Sequence, residues 1–131
     1  MKVMLDTNVI LDVWLAREPF WPESAQLLAR VESGELEGWI CPTTVTTLHY
    51  LAKKVLGEVK ARHLIESLLT LCQVGHMSTH TFTSALASKL TDFEDAVIEA
   101  VSLDDRMDYI ATRNIKDFVQ SKVPAKEPAH I

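Results

Sequence analysis

The sequence predicts an α/β fold in which a mostly parallel sheet is covered by helices on both faces. Two observations carry this. Short apolar runs bounded by Gly, Pro or Asp alternate with longer segments whose apolar residues recur at helical spacing. With 131 residues, 47% of them hydrophobic and 24% charged, the chain fits one domain, residues 1–131, with one buried core.

The elements follow in order. KVML (2–5) reads as a buried strand that stops on Asp6, and NVILDVWLAR continues with Val9, Ile10, Val13 and Trp14 at helical spacing. EPFWPESAQLLARVESGE, punctuated by Pro19 and Pro22, reads as a second helix that stops at Gly34. GWIC (38–41), between Gly38 and Pro42, is a short strand. TTVTTLHYLAKKVLG starts on capping residues and ends on Lys53, Lys54 and Gly57, the polarity of a helix. In EVKARHLIESLLTLC, Ala61, Leu64, Ile65, Leu68, Leu69 and Cys72 share one helical face. QVGHM (73–77) is a third strand candidate and THTFTSALASKL a helix. Phe93, Ala96, Val97, Ala100 and Val101 define a helix starting near Asp92, and DYIAT (108–112) a further strand. RNIKDFVQ is a turn or short helix; the tail KVPAKEPAHI drapes over an edge or ends in a short strand.

Composition narrows the function. A formal net charge of -5 excludes a surface that binds nucleic acid by charge alone. Cys41 and Cys72 lie in apolar surroundings without metal-ligand spacing, so they read as buried free thiols in a reducing, cytoplasmic setting. The apolar run before Asp6 is too short for a signal peptide or a membrane span.

In an open parallel sheet, function collects beyond the carboxyl ends of the strands. Asp6, Asp95 and Asp117 all fall at that edge. Singly, each has an ordinary explanation: Asp6 caps a helix, Asp92 caps another with Asp95 in its first turn, and Asp117 sits in a turn. Jointly, with Thr7 and Asn8 beside Asp6 and Thr112, Arg113 and Asn114 near Asp117, they point to a hard divalent cation that relieves their repulsion.

MLDTNVILD, DFEDAVIEA and TRNIKDF resemble the first, third and last acidic motifs of the PIN-domain family. That family comprises metal-dependent ribonucleases and includes the toxins of VapBC-type toxin-antitoxin pairs. The resemblance runs from Lys2 to about Val123. It implies a three-layer α/β/α sandwich with four or five strands, one or two Mg²⁺ or Mn²⁺ ions, RNA as substrate, an antitoxin protein as partner, and a homodimer. It assigns Asp6 and Asp95 as metal ligands, Asp117 as the last acid, and Asn8 and Asn114 as polar neighbours. Where the family carries a glutamate, early in the helix after the second strand, this chain has Thr47. Asp92, ahead of Glu94 and Asp12, is the first choice to restore the missing charge. Arg113 and Lys116 flank the proposed pocket and are the candidates to bind RNA phosphate. His49, beside Leu48, Tyr50 and Leu51, stays unassigned, and Lys53, Lys54, Lys60, Arg62 and His63 read as a solvated basic face.

Two other readings compete. Thr47 favours a PIN-like module that binds RNA or protein with little or no catalysis. A strand ending in an aspartate also resembles the haloacid dehalogenase phosphatases, but those need a second aspartate two residues on, where this chain has Asn8.

Overall fold

The computed structural model describes residues 1–131. Five strands, β1 (Lys2–Leu5), β2 (Glu37–Ile40), β3 (Gln73–Val74), β4 (Tyr109–Ala111) and β5 (Ala125–Lys126), form one sheet in the order β3-β2-β1-β4-β5. Every neighbouring pair is parallel, so the sheet is wholly rather than mostly parallel. Six helices cover it: α1 (Thr7–Trp14), α2 (Trp21–Glu32), α3 (Pro42–Leu56), α4 (Glu58–Leu71), α5 (Thr79–Leu86) and α6 (Phe93–Asp104). The three layers expected for the fold are present.

The strands alternate their side chains between two cores, because successive Cβ atoms leave opposite faces of a sheet. Val3 and Leu5 join Val9, Ile10, Leu27, Leu48 and Leu68 from α1 to α4 on one face. Met4 points the other way, into Ala85 of α5 and Ala96, Val97 and Val101 of α6. A strand buried on both sides must be apolar at every position, which explains the unbroken run from Val3 to Leu5. No helix is long and apolar enough to cross a membrane. Both cysteines are buried and unpaired, and burial pushes the Cys72 thiol up to about 12.

Local chemistry sets the element ends. The Asp6 carboxylate accepts the Thr7 N–H at the start of α1, and the Asp92 carboxylate accepts the Asp95 N–H at the start of α6. Gly57, at φ 86°, takes a left-handed turn between α3 and α4 that side chains resist. At the same junction His49 Nε2 lies 3.1 Å from the Glu58 carboxylate, so His49 has a structural partner.

The sequence expectation differs from the structure at three strands, of which the fourth keeps only Tyr109–Ala111 of the expected 108–112. The second begins at Glu37 and yields Cys41 to the start of α3. The third ends at Val74 instead of continuing to residue 77. Gly75 N–H donates to Ile40 O at 2.8 Å, and the chain then turns toward α6, where the His76 N–H and Nδ1 meet the Asp105 carboxylate, each at 2.9 Å. The tail takes the strand alternative as β5.

Gly75, one residue past β3, packs closely against α6: a Cβ there would stand 2.4 Å from Val101 Cγ1. Gly75→Ala is expected to lower stability by about 1–3 kcal/mol through overpacking. Urea unfolding measures it, and adding Val101→Ala should return part of the loss; a neutral Gly75→Ala would contradict the close approach.

Candidate metal centre at the sheet edge

The strand order reverses between β1 and β4, so the loops that leave these strands diverge and open a crevice. Leu5 is in register with Ala111, which sets Asp6 and Thr112 side by side one residue beyond each strand. The Asp6 N–H donates to Ala111 O at 2.9 Å and closes the ladder.

Asp6 is 5% exposed and held by three donors. Thr112 Oγ1 donates to its Oδ2 at 2.7 Å, Asn8 Nδ2 donates to the same oxygen at 3.1 Å, and the Thr7 N–H donates to Oδ1 at 2.8 Å. A carboxylate offers about four lone-pair positions, so these donors leave one open, on Oδ1. Burial raises the Asp6 pKa; the bonds from Thr112, Thr7 and Asn8 and the Arg113 charge oppose that rise. Asn114 N–H donates to Thr112 Oγ1 at 3.0 Å, which orients the Thr112 hydroxyl toward Asp6.

The opposite wall comes from the first turn of α6, where Asp92 is the cap. Asp6, Asp92, Glu94, Asp95 and Asp117 border one cleft of about 370 Å³, together with Asn8 and Asn114. None of these five acids makes an ion pair. At two of them, Asp95 and Glu94, repulsion adds to the effect of burial. Asp95 is pushed up to about 7, first by burial and then by Asp6, Asp92, Asp117 and Glu94. Glu94 is also raised, by burial, Asp92 and Asp6.

No three of the His, Cys, Asp or Glu side chains close around a single point. The acids border the cleft without converging on one point. The donor set is all oxygen and unpaired with lysine or arginine, which suits magnesium or manganese and not a softer metal.

The other sequence candidates separate. Thr47 is not among the residues bordering the cleft; one turn on, α3 presents Leu51 there instead. Asp12 does not replace the missing charge, because it is fully buried beneath Arg113: Nε lies 2.7 Å from Oδ2 and Nη2 3.3 Å from Oδ1. The Arg113 guanidinium also stacks over Phe20, 4.2 Å from the ring centre. Arg113 is therefore committed to a structural pair and does not border the cleft. Lys116 lies in a neighbouring depression on the far side of Asp117, with Lys89. Sequence reasoning gave no role to Arg17, the one cation at the cleft, or to Thr112 as the partner of Asp6. The signal for Thr112 was its place one residue past a strand, as Asp6 is past its own. Arg17 carried no signal, since it reaches the cleft only through the turn after α1.

Arg113→Ala leaves the fully buried Asp12 with only Arg17, 3.6 Å away. The expected loss is about 3 kcal/mol or more, because stripping one partner from a buried pair strands the other charge. Chemical denaturation of the single variants and of the Asp12→Ala/Arg113→Ala double checks it: the double should lose less than the sum, and strict additivity would deny the coupling.

Comparison with known proteins agrees with this fold. VapBC2 from Rickettsia felis, solved bound to a DNA fragment from its promoter, superposes with a TM-score of 0.74 at 15% identity, over 97% of this chain and 98% of that one. A toxin-antitoxin complex from Klebsiella pneumoniae gives 0.72 at 26% identity, over 96% and 97%. VapC20 from Mycobacterium tuberculosis, a Sarcin-Ricin loop cleaving toxin, gives 0.73 at 15% identity, over 89% and 93%. No curated protein sequence matches the chain. A family model for the PIN domain matches residues 2–116, and the chain belongs to the PIN-domain family.

Proposed function

We propose that this protein is a divalent-metal-dependent ribonuclease that hydrolyses RNA phosphodiester bonds, and that it is the toxin of a pair completed by an antitoxin protein. The observation that carries the reading is the set of unpaired acids, drawn from three distant stretches of chain, bordering one cleft at the sheet's switch point. Asp6, Asp95 and Asp117, with Asp92 beside them, are the residues to hold Mg²⁺ or Mn²⁺. When bound, such an ion lowers the pKa of water and offsets negative charge on the phosphate. The chain's own part is orientation and proton handling. Thr112, Asn8 and the Thr7 N–H fix the Asp6 carboxylate and leave one Oδ1 position open. Asp95, with its pKa near 7, keeps a proton on its carboxyl in weakly acidic solution and gives it up as a cation binds. Asn8 and Asn114 line the cleft as polar neighbours, and Lys116 contributes a positive charge beyond Asp117.

The toxin assignment is supported by the solved relatives, which include toxin-antitoxin complexes. Exposed Phe82 and Leu86 on α5 and Phe93 on α6 offer apolar surface suited to a homodimer. One observation favours the second reading, a PIN domain that binds RNA or protein without cutting: α3 brings Leu51 and no acid to the cleft.

Asp6→Asn should abolish cleavage of single-stranded RNA and weaken Mn²⁺ binding by at least roughly tenfold, since ligands and their orienting neighbours typically cost that much or more. Calorimetric titration and a gel assay on the same preparation read both. Full cleavage by Asp6→Asn would remove the nuclease reading; wild-type RNA binding without cutting at every Mn²⁺ concentration would leave the binding module.

The raised acids also set a pH dependence. Asp95 titrates near 3.8 in the unfolded chain and at about 7 in the fold, so its protonated form is favoured by folding. That stability is present in full below about pH 4 and is lost as pH rises through about 7. Asp6 and Glu94 shift in the same direction. Metal-free protein is expected to melt at a lower temperature at pH 7.5 than at pH 5.5, and millimolar Mn²⁺ should raise the melting point more at pH 7.5. Scanning fluorimetry measures this; a metal-free melting point that rises over that range would contradict the crowding of the acids.

A further inference from the structure

We propose that Arg17 is the residue that grips the RNA backbone at the cleft, binding a phosphate beside the scissile bond. The inference rests on the ribonuclease reading and deepens it.

Arg17 is the only lysine or arginine that borders the acidic cleft. Its backbone is pinned: its N–H donates to Asp12 O at 2.9 Å, and its carbonyl accepts from Phe20 N at 3.0 Å and Trp21 N at 2.9 Å. Ala16 before it takes φ 49°, a left-handed step that swings the chain away from the axis of α1. The side chain therefore leaves from a fixed point, but its end is uncommitted. It is 41% exposed, and its Nη1 stands 3.6 Å from Asp12 Oδ1, beyond hydrogen-bond length. Arg113 holds the closer contacts to both Asp12 oxygens. No side-chain N–H of Arg17 makes a hydrogen bond, so apart from this long ion pair to Asp12 the fork is open to a ligand.

The shared carboxylate explains why this cation does not fall onto the cleft acids. Asp12, fully buried, attracts Arg17 from behind, and Arg17 forms no ion pair with Asp6, Asp92, Glu94, Asp95 or Asp117. A guanidinium held beside an acidic cleft, with its fork open, matches a phosphodiester's two free oxygens. It also adds local attraction for a polyanion to a protein of net charge -5.

The experiment uses the full chain carrying Asp6→Asn in Mg²⁺, so that RNA is bound and not cut. Fluorescence anisotropy with a mixed-sequence single-stranded RNA is recorded across a salt series. Adding Arg17→Gln is expected to weaken binding about tenfold and to reduce the slope of log affinity against log salt by about 0.7, the value for one phosphate contact on a single strand. Arg17→Lys should restore the slope, which counts charge, but only part of the affinity, because an ammonium cannot bind two oxygens as a fork; Lys60→Ala on the exposed face of α4 should change neither. In the otherwise wild-type chain, Arg17→Gln should raise KM about tenfold with kcat little changed. Thermal melting confirms that each variant folds, and if Arg17→Gln does not, Arg17→Met, which keeps the length of the stem and removes the charge, carries the comparison through affinity, slope and KM. Unchanged affinity and slope on losing Arg17, with RNA still bound by the parent, would overturn the proposal alone. A parent that binds no RNA in Mg²⁺, together with a wild-type chain that cuts none, would overturn the ribonuclease reading and the proposal with it.

Discussion

The hydrogen bond from Thr112 to the buried carboxylate of Asp6, 2.7 Å long, joins the two strands on which the site depends. β1 and β4 are the central pair of the sheet and the place where strand order reverses. Without a donor from β4's end, Asp6 would be a desolvated anion with only the donors of its own turn, a costly arrangement at 5% exposure. With Thr112, Asn8 and the Thr7 N–H in place, burial is tolerated and the carboxylate has one orientation. Asn8 extends the link, because its Oδ1 lies 3.5 Å from the Arg113 N–H at the limit of hydrogen-bond length.

Charge is partitioned around this point. On the buried side, Asp12 is neutralised by Arg113, which is in turn packed on Phe20. On the open side, five acids border the cleft and none is neutralised by the protein. The division matters because the first arrangement stabilises the fold as it stands, whereas the second raises its energy as the acids ionise. Under the proposed function, a cation supplied from outside would relieve that repulsion. Arg17 lies between the two regions, attracted by the inner carboxylate and open to the outer cleft.

Much of this was legible in the sequence. Helical periodicity located α1, α4 and α6, caps and punctuation placed α2 and α3, and the reading set Asp6 after the first strand, Asp95 in a first helical turn and Asp117 in a loop, all at the expected sheet edge. Asp6, Asp92, Asp95 and Asp117 do share a cleft. What the sequence hid was side-chain allegiance. Arg113 sits in the motif nearest the acids, yet its guanidinium turns to Asp12, a residue 101 positions away that no local pattern connects to it. Thr47 and Leu51 share one face of α3, and it is Leu51, one turn further along the axis, that borders the cleft. β3 proved shorter than its apolar run, since Gly75 is needed where α6 passes too close for any side chain.

The most direct test of the account is anomalous diffraction from crystals of the full chain soaked in Mn²⁺ at pH 7.5. The account predicts a Mn²⁺ peak in the cleft about 2.1 Å from carboxylate oxygens of Asp6 and Asp95, with Asp117 drawn toward it from its metal-free position. Strong Mn²⁺ peaks elsewhere on the protein, with none between those side chains, would contradict it.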